Sequence, residues 1–210
     1  MNKNAASLEE KVTEFSHKTC QELSDIFGVE IGKPEIHLLH SRSEIDKIWG
    51  KKTEPWLVAI AAKENKNTIS ILSEDKFETE SNHPREHFWK ILKHECVHLF
   101  YEKMAKGEYR PLWLNEGIAQ ILAGQKKQQA TNETLMTVNK YFSYFDSKCY
   151  PIGYFWVSHL IGEYGKEKII KLIKTIKPKV TPEQFHANFE KVYGFKFDEK
   201  YLRKAINEGN

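Results

Sequence analysis

No stretch of this chain is long and apolar enough to suggest a bilayer span. The aliphatic run Leu57–Ala62 falls far short of the roughly 20 residues a membrane helix needs. Cysteine is scarce: Cys20, Cys96 and Cys149 are an odd count at wide spacing, which is no disulfide framework and points to a reducing compartment. An export signal is missing as well. Met1–Asn4 is polar and Ser7–Phe27 is charged and amphipathic, with no apolar segment of signal-peptide type, so a cytoplasmic location is expected. Neither sign of charge dominates. Lys and Arg number 32 against 29 Asp and Glu, a net charge of +3, and no nucleic-acid partner is expected from so small an excess. Internal repeats, low-complexity tracts and long linkers are absent. What is present is apolar material: 40% of the 210 residues are hydrophobic and 12% aromatic, enough to build a core and to exclude a disordered chain.

The first part of the chain mixes periods. Ser7 with Glu10 reads as a capping box, followed by a helix that Gly28 stops. Glu35–His40 reads as a strand and Ser43–Trp49 as a short helix before Gly50. Pro55–Ala62 and Thr68–Leu72 read as the arms of a hairpin around the polar turn Lys63–Asn67. The remainder is helical. One helix is predicted from Pro84 to Lys106, stopped by Gly107, and a second from Leu114 to Gly124. Lys126–Glu133 reads as loop. Four more helices follow over Tyr150–Tyr164, Lys166–Lys177, Pro182–Tyr193 and Asp198–Asn207. This order implies a single α+β domain over 1–210, with a helix and sheet lobe at 1–80, metal-binding helices at 81–124 and a helical lobe at 125–210.

His94-Glu95-Cys96-Val97-His98 is a His-Glu-x-x-His pattern inside the Pro84–Lys106 helix. Residues four apart lie one above the other on a helix face, so both imidazoles can reach one metal ion. Glu95, beside that face, can hold a water and take its proton. A catalytic zinc takes three protein ligands and keeps one position open. Seventeen residues separate His98 from Glu116, within Trp113-Leu114-Asn115-Glu116-Gly117-Ile118-Ala119. Gly107 and Pro111 bracket a turn that can fold the second helix back on the first. That places Glu116 in the second helix's first turn, as third ligand to one Zn2+ with His94 and His98.

These two segments together resemble the gluzincin clan of thermolysin-like zinc peptidases. The Trp-Leu-Asn-Glu-Gly-x-Ala wording resembles the zinc aminopeptidase branch and its small peptidase MA-like relatives. The resemblance is specific over Phe88–Gln120 and looser over Tyr150–Gly165. It implies a zincin-like fold with a small N-terminal sheet, a central metal-binding helix and a C-terminal helical lobe. It also implies hydrolysis of a peptide or protein substrate, with Glu95 as general base. Tyr150, in Tyr150-Pro151-Ile152-Gly153, inherits the oxyanion-stabilising role of the aminopeptidase Tyr-x-x-Gly segment, and Tyr154 is the reserve. Two departures stand out. No Gly-x-Met-Glu-Asn segment precedes the active helix, and Gln120 occupies the place of the acid that orients a ligand histidine in thermolysin-type sites.

Blander readings compete. A catalytically silent zinc-binding domain, acting as a binding or regulatory module, would keep the same ligands. Glu116 could be a first-turn acid favoured by the helix dipole, Tyr150 a packing aromatic, Cys96 a buried filler and His87 a surface or capping residue. Trp56, Trp89 and Trp156 read as core aromatics. Lys166–Lys179, with six lysines around Ile169, Ile170, Leu172, Ile173 and Ile176, reads as an amphipathic helix with a solvated basic face.

Overall fold

The structure is a computed structural model that describes residues 6–61, 67–126 and 128–208. Met1–Asn4 and most of the turn expected at Lys63–Asn67 lie outside the described residues. The architecture is α+β: mostly helical, with one three-stranded sheet. No described helix is long and apolar enough to cross a membrane. The chain divides into two compact units, Met1–Phe100 and Tyr101–Asn210.

The first unit opens with α1 (Leu8–Phe27). The Ser7 hydroxyl accepts from the Glu10 N–H at 3.2 Å, and Glu10 Oε2 accepts from the Ser7 N–H at 2.8 Å, so the capping box forms as the sequence implies. Gly28 closes the helix in the left-handed region, at φ 64°. β1 (Glu35–Leu39), α2 (Arg42–Trp49), β2 (Ala59–Ala61) and β3 (Thr68–Leu72) follow. β3 lies in the centre of the sheet, parallel to β1 and antiparallel to β2. The hairpin arms therefore pair as expected, and the Glu35 strand joins the other side of β3. The centre goes to the strand with most aliphatic burial: Ile69, Ile71 and Leu72 are all buried. The loop between α2 and β2 is fixed by Arg42, whose guanidinium donates to the carbonyls of Glu54, Pro55, Leu57 and Glu80.

A 3-10 turn (Glu74–Lys76), the single-turn α3 (Phe77–Glu80) and a second 3-10 turn (Arg85–His87) lead into α4 (Phe88–Met104). The long helix expected from Pro84 is thus preceded by a tighter turn that holds half-buried His87, and it ends two residues earlier than predicted. α1 and α4 run in the same direction. Phe15 meets Trp89 (5.0 Å between rings), Glu22 meets Lys93 (2.9 Å) and Phe27 stacks on Phe100 (5.6 Å), so the contacts advance together along both helices.

The described residues of the second unit hold helices and no strand: after the end of α4 come α5 (Leu112–Leu122), α6 (Asn132–Met136), a 3-10 turn (Val138–Phe142), α7 (Cys149–Tyr164), α8 (Lys166–Thr175), α9 (Pro182–Tyr193) and α10 (Glu199–Glu208). α6 lies partly in the stretch read as loop; Thr131 caps it by accepting from the Thr134 N–H. α5 starts at Leu112, because Pro111 takes the N-cap position, two residues before the expected start. The core here is aromatic. Trp113 stacks on Phe197 at 5.4 Å and 10°, and Trp156 donates its indole N–H to the Leu135 carbonyl at 3.0 Å. Trp56 and Trp89, in the first unit, are only half-buried. α8 buries Ile169, Ile170, Leu172 and Ile173 and leaves Lys166, Lys171 and Lys174 exposed, the solvated basic face expected.

Glu108, 4% exposed, anchors the segment before α5. Its carboxylate accepts two bonds from the Arg110 guanidinium (2.7 and 2.8 Å), one from the Arg110 N–H (3.2 Å) and one from the Lys179 N–H (2.8 Å). Burial alone would raise the Glu108 pKa, but these bonds outweigh it and hold the carboxyl below its usual range. A depressed carboxyl pKa stabilises the fold above the unfolded value, about 4.3, and that contribution disappears as pH falls through the folded value. Glu108→Gln should lower stability by about 2 kcal/mol at pH 7. The gap between variant and wild type should close on acidification below about pH 4. Urea unfolding of both proteins across pH checks this, and a gap that persists unchanged to pH 2 would contradict it.

Candidate metal centre

α4 passes through the sequence His94-Glu95-Cys96-Val97-His98 as regular helix. One helical turn separates His94 from His98, so their rings share a face, with centroids 4.6 Å apart and planes at 86°. One ligand atom from each of His94, Glu95 and His98 lies within 4.8 Å of the others. His94 and Glu95 are buried and His98 is half-buried. Three such donors can hold one metal ion.

A buried carboxylate requires hydrogen bonds or a cation. Glu95 Oε2 accepts from the Ala61 backbone N–H at 2.7 Å. Ala61 is the last residue of β2, an outer strand of the sheet. The Val58 carbonyl accepts from the Leu72 N–H on the β3 side, so strand alternation turns the Ala61 N–H toward the unpaired edge. The sheet edge thus supplies a fixed donor that orients Glu95. Nothing in the sequence separates Ala61 from its neighbours in the aliphatic run, so this contact could not be read from it.

The other expected site residues belong to the second unit. Glu116 is the fifth residue of α5 and is buried. Because α5 starts at Leu112, Glu116 lies beyond the first turn, and the first turn holds no acid. The helix-dipole explanation for this carboxylate is therefore removed. α5 meets α7 at two glycines. A Cβ on Gly117 would lie 2.2 Å from the Gly153 carbonyl oxygen, and one on Gly153 would lie 2.4 Å from the Trp113 carbonyl oxygen. The glycine of Tyr150-Pro151-Ile152-Gly153 is thus a close-packing residue. Burial pushes the Cys149 thiol well up, and the Glu116 carboxylate adds to the shift. Glu116 therefore acts electrostatically on the start of α7. Tyr150, next along α7, is half-buried and meets Phe145 edge-on at 5.7 Å, and Tyr154 is also half-buried. Gln120 is 1% exposed, and its Oε1 has no hydrogen-bond partner among the described residues.

No family model and no curated protein matches this chain.

Proposed function

We propose that this chain is a zinc-dependent metallopeptidase with a zincin-like fold. The observation that carries the reading is the convergence of His94, Glu95 and His98 on one face of α4, with the Glu95 carboxylate held by a backbone donor of the sheet edge. The donors fit zinc: two imidazoles and a carboxylate are the borderline and hard ligands this ion takes. The sequence pattern assigns Glu116 as third ligand, and its burial beyond the reach of the helix-dipole explanation supports that assignment.

Zinc, when bound, would acidify water and polarise the scissile carbonyl. The residues of the chain do the rest. With Oε2 fixed by the Ala61 N–H, Glu95 presents Oε1 to take the proton of the attacking water and to pass it to the leaving amine. Tyr150, with Tyr154 in reserve, donates its hydroxyl to the developing oxyanion. His98→Ala should lower bound zinc from about one equivalent to near zero while far-UV circular dichroism stays unchanged. Metal analysis after dialysis reads this directly, and a variant that still holds a full equivalent would remove His98 from the ligand set.

A further inference from the structure

Positive charge is concentrated in one part of the second unit. Residues 166–179 hold six lysines and one acid, Glu167, while the whole chain carries a net charge of only +3, so the remainder is net acidic. Lys171 and Lys174, three apart on one face of α8, are both exposed. Beyond the helix the chain turns at Lys177-Pro178-Lys179-Val180, where the Val180 N–H donates to the Lys177 carbonyl at 3.1 Å. Pro178 takes the second position of this turn and Lys179, at φ 63°, the third, a type II pattern whose third position favours glycine. The Glu108 carboxylate accepts from the Lys179 N–H at 2.8 Å, which ties the turn to the segment that follows α4. Lys106, two residues before Glu108, has φ 56°. Lys106 and Lys179 are the two non-glycine residues of positive φ among the described residues. Both are exposed, in a backbone conformation that disfavours any Cβ, and Glu108 brings their segments together. Lys177 is exposed too, and Tyr109, next to Glu108 in the chain, is 38% exposed.

We infer that Lys106, Lys171, Lys174, Lys177 and Lys179, together with Tyr109, form a surface that docks the protein peripherally on an anionic lipid bilayer. The inference does not depend on the hydrolase reading and stands on charge complementarity. An anionic bilayer presents a diffuse negative potential, which point charges on flexible stems answer collectively. The patch is built of such lysines. The arginine beside it, Arg110, has its planar fork bound by Glu108 at 2.7 and 2.8 Å, so the bidentate donor suited to single phosphates of a nucleic acid is already engaged. The apolar face of α8 is engaged as well. Ile169, Ile170, Leu172 and Ile173 are buried, so the helix rests on the headgroups without inserting. Tyr109 adds an exposed amphipathic ring of the kind that settles at headgroup level. The surface also accounts for lysine at the two left-handed positions. Glycine would be easier there for the backbone but would add no attraction.

The test sediments the full chain with phosphatidylcholine vesicles containing about 30% phosphatidylserine, at about 0.1 M salt, where the screening length is about 10 Å. The protein should pellet with these vesicles, stay in solution with pure phosphatidylcholine, and be released at about 0.5 M salt. The double variant Lys106→Gly, Lys179→Gly separates charge from structure. Glycine suits both left-handed backbones and keeps the residue 179 N–H for Glu108, so Tm should stay near that of the wild type. Its vesicle affinity should fall about 25-fold, from roughly fivefold for each lysine. The double variant Lys171→Gln, Lys174→Gln, on the exposed face of α8, should lose a similar amount. The inference is overturned if the wild-type protein does not pellet with the phosphatidylserine vesicles, if it binds pure phosphatidylcholine equally well, or if either double variant keeps wild-type affinity. Capture by polyuridylate or by polyglutamate without vesicle binding would overturn it in favour of a nucleic acid or an acidic protein.

Discussion

Replacing Glu95 by glutamine should leave bound zinc near one equivalent and lower peptide hydrolysis by about 10³-fold, within the range general bases supply. The substitution is conservative where it matters for structure. The amide keeps an oxygen to accept the Ala61 N–H, so the tie between α4 and the sheet edge survives. The charge and the basic oxygen are what disappear. A Tm close to that of the wild type is therefore expected, with the loss falling on kcat rather than on KM. The variant also separates two roles for the same side chain, because Glu95 is close enough to both histidines to be counted as a donor. If Glu95 is a ligand, zinc is lost together with activity. If it is the base, zinc stays and activity goes. Turnover within tenfold of wild type would refute the base role outright.

The α5–α7 crossing should give the largest stability effect. Gly117→Ala would put a methyl 2.2 Å from the Gly153 carbonyl oxygen and 2.6 Å from Val157 Cγ2. Gly153→Ala would put one 2.4 Å from the Trp113 carbonyl oxygen and 2.9 Å from the Gly117 nitrogen. The obstructing atoms are mostly backbone, which has no alternative rotamer, so the helices themselves must separate. A loss of about 3 kcal/mol is expected for each variant, at the upper end of ordinary overpacking. The double variant cannot relieve the clash, since both methyls enter the same crossing. Gly162→Ala is the control. It also lies in α7, nothing stands within 4 Å of its added methyl, and a small gain of roughly 0.5 kcal/mol is expected from backbone entropy. Denaturant unfolding of the three variants checks the contrast. Gly117→Ala within 1 kcal/mol of wild type would contradict the close packing described here.

The parts of this structure legible in the sequence are those set by local chemistry. The capping box at Ser7, the glycine stop at Gly28, the helix through His94–His98 and the basic face of α8 each follow from a few neighbouring residues. Long-range pairing was not legible. That β1 joins β3 in parallel register depends on which strand buries most aliphatic surface, a tertiary property. Element starts shifted where proline had two possible roles. Pro111 caps α5 and moves Glu116 out of the first turn, and Pro84 precedes a 3-10 turn rather than starting α4. Within the candidate site, the histidine pair was visible from spacing alone. The donor on Glu95 was not, because a backbone N–H from a distant strand leaves no mark in the sequence.

The most direct measurement starts from metal-free protein reconstituted with one equivalent of zinc and incubated with a diverse peptide library, the products being read by mass spectrometry. New amino termini are expected that appear only with zinc, vanish with a chelator and vanish in Glu95→Gln. A protein confirmed to hold its zinc equivalent that leaves the whole library intact would contradict the peptidase reading, and would point to a zinc-bearing domain that binds without turnover.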